Sequence, residues 1–222
     1  MEKLEATLAA YLEQQMSADS AHDMAHIQRV VQMARRLAQA EGADMAVVLP
    51  AAWLHDCVTL PKNAPNRHEA SRLAATEAVR FLQTIDYPEQ HLDGIAHAIE
   101  AHSFSANIVP TTLEAKVVQD ADRLDAIGAI GVARCLLVGG ALQRPLYHPT
   151  DPFCEQREPD DLTYTIDHFY RKLFKIGQTL HTQAAREEAA RRNAFMQAFL
   201  DQLRGEIPGA FMNRTQMNAD KR

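Results

Sequence analysis

The chain has 222 residues and 46% hydrophobic content, with 23 Lys and Arg against 29 Asp and Glu for a formal net charge of -6. That balance supports a hydrophobic core and excludes disordered, collagen-like and low-complexity classes. Without a Lys/Arg-dense stripe it also argues against a protein that grips a nucleic-acid polymer, because that affinity comes from phosphate neutralisation. Cys57, Cys135 and Cys154 are scattered and lack a CxxC spacing, which suggests neither a disulfide framework nor a thiolate zinc site and fits a reducing cytoplasm.

Apolar positions recur at helical spacing almost throughout, and no run of alternating β-branched residues stands out, so the fold is expected to be all-α. The opening MEKLEATLAAYLEQQ carries charge among its apolar positions, unlike a secretory signal, and reads as an amphipathic helix over residues 3–16. A second helix aligns Ile27, Val30, Val31, Ala34 and Leu37 and stops near Gly42. Asp44 can cap a third, 45–56, which is apolar on every face and therefore buried. CVTLPKNAPN is a loop, with Asn66 as the N-cap of a helix through residue 82; Pro88 opens the next, through residue 102. Thr111 and Glu114 stand in capping-box relation and start a long helix reaching Gly139-Gly140. Within it, Gly128 and Gly131 suit close packing. Helices over 162–182 and 185–203 complete one domain, residues 1–205, with a metal-site core at about 21–140, C-terminal helices at about 160–205 and a flexible tail at 206–222. No membrane segment is needed.

Three islands of ionisable residues interrupt these apolar helices: HDMAH, the HD that closes the third helix, and QDADRLD in the long one. Charge in a helical core is costly unless paired or bound to a metal. Imidazole and carboxylate without thiolate suit a divalent ion that is borderline to hard.

Together, AHDMAHIQRV, AAWLHDCVTLPKN, AIEAHSFSA, TLEAKVVQDADRLDAIGAIGVAR and DHFYRKL resemble the HD-domain metal-dependent phosphohydrolases, in particular their YedJ-like branch. The resemblance implies a helical bundle in which His26, His55, Asp56 and Asp122 hold one divalent ion, Mn²⁺ first, with Fe²⁺, Co²⁺, Ni²⁺, Mg²⁺ or Zn²⁺ as alternatives. It carries no GYP signature, and CVTLPKN replaces the Gly-Lys that many members have after the HD pair, so the lysine role passes to Lys62. Asp56, His97 and His102 are the candidate catalytic groups. Lys62, Asn63, Arg67, Arg123 and Lys172 are the candidates for binding substrate phosphate. Asp125 is expected to support the ligands from behind, Asp120 to lie at the surface or in an ion pair, and His22 to sit at a helix start. His181 is read as surface.

Four protein ligands leave two positions on an octahedral ion, for a water and a phosphate oxygen, so hydrolysis of a phosphate bond follows. The branch implies a nucleoside triphosphate pyrophosphohydrolase releasing pyrophosphate from a small-molecule nucleotide. A nucleotide phosphodiesterase, a 5′-nucleotidase or a non-catalytic nucleotide or metal sensor would use the same ligands, and a homo-oligomer is left open.

Overall fold

A computed structural model describes residues 2–15, 24–58, 60 and 66–208. Among them the fold is all-α, with helices α1 (Glu2–Gln15), α2 (Met24–Glu41), α3 (Met45–Leu54), α4 (Ala70–Thr84), α5 (Leu92–His102), α6 (Leu113–Asp125), α7 (Gly128–Ala141), α8 (Asp167–Arg171) and α9 (Gln183–Glu206). The residues gather into two compact units. Unit 1 draws on Met1–Asp125 and Leu180–Arg186, and unit 2 on Ala126–Thr179 and Glu187–Arg222. No single helix among the described residues is long and apolar enough to cross a membrane.

Unit 1 is built around α3, whose residues from Val47 to Leu54 are all buried. Asp44 caps it by accepting from the Ala46 N–H at 2.8 Å. Pro50 lies inside this helix and has no N–H for the Ala46 carbonyl one turn back. The Tyr87 hydroxyl takes that place, donating to the Ala46 oxygen at 2.7 Å. Tyr87→Phe is therefore expected to lower stability by about 1 kcal/mol, read by chemical denaturation, because a half-buried carbonyl loses its partner. Around α3 pack α2, α5 and α6, of which α2 and α6 carry the other two ionisable islands.

The structure corrects several expected boundaries. Asn66 makes no side-chain cap; a 3-10 turn, Arg67–Glu69, precedes α4. Thr112 rather than Thr111 caps α6, its hydroxyl accepting from the Ala115 N–H at 3.2 Å. The Glu114 carboxylate turns away to accept from the Asp44 N–H at 3.1 Å, so no reciprocal capping box forms.

The expected long helix is two helices, α6 ending at Asp125 and α7 starting at Gly128. Gly128 has φ +77, a left-handed conformation that side chains disfavour, and a Cβ at Gly131 would lie 2.3 Å from the Ala126 carbonyl oxygen. The glycines read as packing aids thus permit the turn itself.

In unit 2 the helix expected over 162–182 shrinks to five-residue α8 and a 3-10 segment, Leu173–Thr179. The N–H groups of Thr165 and Ile166 donate instead to the Pro145 and Leu146 carbonyls, at 3.0 and 2.9 Å. The polar stretch before α8 is anchored by Arg157, which forms a bidentate pair with fully buried Asp167.

Gly139 of α7 faces Thr165 so closely that a Cβ would sit 2.3 Å from its hydroxyl oxygen, whereas Gly140 has nothing within 4 Å. Gly139→Ala is expected to destabilise by about 1–3 kcal/mol through overpacking. Gly140→Ala should leave the melting temperature unchanged or slightly raised, and differential scanning calorimetry of the pair separates crowding from helix propensity.

Candidate metal centre

α3 ends at Leu54, and its last-turn carbonyls lose their helical partners there. The next residue, His55, donates its Nδ1–H to the Ala52 carbonyl at 2.8 Å. A carbonyl can only accept, so Nδ1 carries the proton and Nε2 a lone pair. That Nε2 is buried and has no hydrogen-bond partner among the described residues. It lies 3.6 Å from Asp56 Oδ2 and 4.0 Å from Asp122 Oδ1.

The same device recurs on α5. His102, its last residue, donates Nδ1–H to the Ile99 carbonyl at 2.6 Å and presents Nε2 3.4 Å from Asp56 Oδ1. His26, in the first turn of α2, is fixed by a carboxylate instead: its Nδ1 lies 2.7 Å from Asp125 Oδ2 and its Nε2 3.5 Å from Asp122 Oδ1. Arg29 clamps Asp125 from the other side at 2.7 and 3.0 Å. One ligand atom each from His26, His55 and Asp56 fall within 4.8 Å of one another.

Burial holds the His55 ring below its ordinary pKa, keeping the lone pair available. Burial also opposes charge on His26 and His102, but the carboxylates of Asp125 and Asp122, and of Asp56 respectively, outweigh it and raise both. Burial would raise Asp125, yet the hydrogen bonds from His26 and Arg29 prevail and bring its carboxyl to about 2. An orphaned buried imidazole nitrogen facing two carboxylates fits a divalent ion: a metal satisfies every atom of that group at once.

The expected residues divide clearly. The structure brings together His26, His55, Asp56 and Asp122, with His102 beside them and Asp125 behind His26. His97 is engaged elsewhere, its Nε2 accepting from the Thr111 N–H at 3.0 Å and paired with the Thr111 hydroxyl at 2.9 Å. Those bonds place the ring at the entry to α6. Arg67 lines a pocket with Asp56 and His102. Arg123 neighbours Asp122, and burial lowers its pKa against the pull of Asp120 and Asp122. Lys62, Asn63 and His22 lie outside the described residues. Lys172 lines a cavity of unit 2.

Asp120 is corrected from a surface residue to a fully buried one. It accepts from the Thr182 N–H and hydroxyl, both at 2.8 Å, and from the His181 N–H at 3.0 Å. His181 is exposed, as read from the sequence, with its Nε2 2.7 Å from Gln119 Oε1. Sequence reading also missed Arg29, and Ser103 and Ser105, which line the pocket beside Asp56. Arg29 sits three residues after His26, a spacing that could have suggested a shared carboxylate.

Asp125→Asn is expected to weaken metal binding 10–100-fold, measured by titration with Mn²⁺, because the imidazole loses its carboxylate partner. Its carboxyl titrates below the ordinary 3.8, so its contribution to stability is complete above that value and fades as pH falls toward about 2. Acid unfolding curves should therefore flatten in the variant over that window.

Residues 24–127 match the HD domain. An uncharacterised protein of Bacillus subtilis, YpgQ, is 35% identical over 196 residues, 86% of each chain. The crystal structure of YpgQ in complex with ADP superposes with a TM-score of 0.72 at 32% identity, covering 95% of this chain and 99% of that one. An HD-superfamily hydrolase from Bacillus thuringiensis superposes with a TM-score of 0.73 at 33% identity, covering 92% and 96%.

Proposed function

The chain belongs to the HD-domain family of metal-dependent phosphohydrolases, and on that premise we propose that it hydrolyses nucleoside triphosphates to the monophosphate and pyrophosphate. The observation that carries the reading is His55 Nε2, buried and without a hydrogen-bond partner among the described residues, beside Asp56 and Asp122. His26, His55, Asp56 and Asp122 would hold the ion, with Mn²⁺ proposed from the mixed nitrogen and oxygen donor set. A divalent ion there supplies Lewis acidity, polarising a phosphate oxygen and lowering the pKa of water.

The protein's own groups do the rest. The Ala52 carbonyl and Asp125 fix two imidazoles at orientations that need no rearrangement when an ion arrives. Arg67, Ser103 and Ser105 line the pocket with Asp56 and His102, offering donors to phosphoryl oxygens as charge develops there. The leaving-group proton is assigned to the pair His102 and Asp56, whose facing atoms are 3.4 Å apart. That the relative YpgQ was crystallised with ADP supports a nucleotide as the small molecule bound.

The test is metal content by mass spectrometry together with product analysis on a nucleotide panel. Pyrophosphate plus monophosphate is the expected pair. Monophosphate alone from a cyclic nucleotide would mean a phosphodiesterase, nucleoside plus orthophosphate a nucleotidase, and binding without turnover a sensor; each of these overturns the proposed reaction.

A further inference from the structure

Unit 2 holds a cavity of about 170 Å³, and four of the residues lining it are basic: Arg134 of α7, Arg144 after it, His168 of α8 and Lys172. No carboxylate is among the lining residues. The chain as a whole carries a net charge of -6, so this concentration of cations does not reflect a surplus of basic residues. The near acid, Asp161, is engaged: its Oδ2 pairs with His168 Nδ1 at 2.8 Å, leaving Nε2 as that ring's open nitrogen. Arg144, half-buried, and Lys172 have no ion pair or side-chain hydrogen bond among the described residues. A multivalent anion seated between Arg144 and Lys172 would gain charge-assisted hydrogen bonds to both cations.

We propose that this cavity of unit 2 is an anion site for a phosphate-bearing small molecule, held by Arg144, Lys172, Arg134 and His168. It shares no residue with the metal cluster and does not depend on the reaction assigned above. Lys172, grouped from sequence with the substrate ligands, belongs to this cavity.

The test uses inorganic pyrophosphate as probe and calorimetric titration as readout, on full-length protein carrying Asp56→Ala and stripped of metal with a chelator. Saturable binding of one pyrophosphate per chain is expected, weakening as salt is raised. Lys172→Gln and Arg144→Gln should each lower the affinity at least about tenfold, at an unchanged melting temperature. No binding by the metal-free protein, or equal affinity in both variants, overturns the proposal. Lys172 is exposed, so its variant carries the test if Arg144→Gln fails to fold.

Discussion

Asp56→Ala is expected to abolish metal retention and to lower phosphohydrolysis by roughly 10³-fold, with little change in melting temperature. The activity figure follows from the several kcal/mol that Lewis-acid stabilisation contributes to such reactions. The small stability effect follows from position: the Asp56 side chain is 22% exposed and follows the end of α3, so its removal opens no cavity in the core. His55→Ala is the contrasting case. That ring is fully buried, and its loss removes the donor to the Ala52 carbonyl as well as a ligand, so both activity and stability should fall. Mass spectrometry for metal, product release for activity and calorimetry for folding distinguish the two variants. An Asp56→Ala protein that keeps its ion and its turnover would overturn the assigned ligand set.

The second large effect is expected at Asp120→Ala, a loss of about 4 kcal/mol in stability. Its carboxylate is the acceptor for two backbone N–H groups and one hydroxyl at His181 and Thr182, immediately before α9 begins at Gln183. Truncation strands those donors in a buried place, at about 1–3 kcal/mol for each unsatisfied group, and removes a favourable charge from a helix N-terminus. Asp120→Asn keeps an acceptor oxygen and should recover about half. Denaturant titration checks both, and an alanine variant within 1 kcal/mol of wild type would mean that water replaces the carboxylate.

Two aspartates two residues apart on α6, Asp120 and Asp122, therefore do different work, and the sequence separates them only in part. Asp122 was legible because it completes an ordered pattern with His26 and the pair His55-Asp56. Asp120 was not, since its partners lie some sixty residues onward, in a loop whose return to α6 no periodicity encodes. The buried character of α3 and the caps at Gly42 and Asp44 could be read directly, because composition and local hydrogen bonding decide them. The break at Gly128 escaped for the opposite reason. Apolar spacing continues smoothly across it, and only the close approach of the Ala126 carbonyl to Gly131 reveals why a straight helix does not form. His97 and His102 illustrate the same limit: both sit on α5, but which one meets Asp56 depends on how α5 lies against α3.

The histidine that closes α3 has a thermodynamic consequence for ion capture. It is tethered to a carbonyl of its own helix's final turn, so the rotational freedom of the ring is surrendered when the helix forms. On the proposed ligand set, an arriving cation would meet this nitrogen donor already aligned and forfeit little entropy on binding. Discrimination among ions is left to their intrinsic taste for nitrogen over oxygen, which places calcium, with its preference for an all-oxygen shell, at a disadvantage however abundant it is.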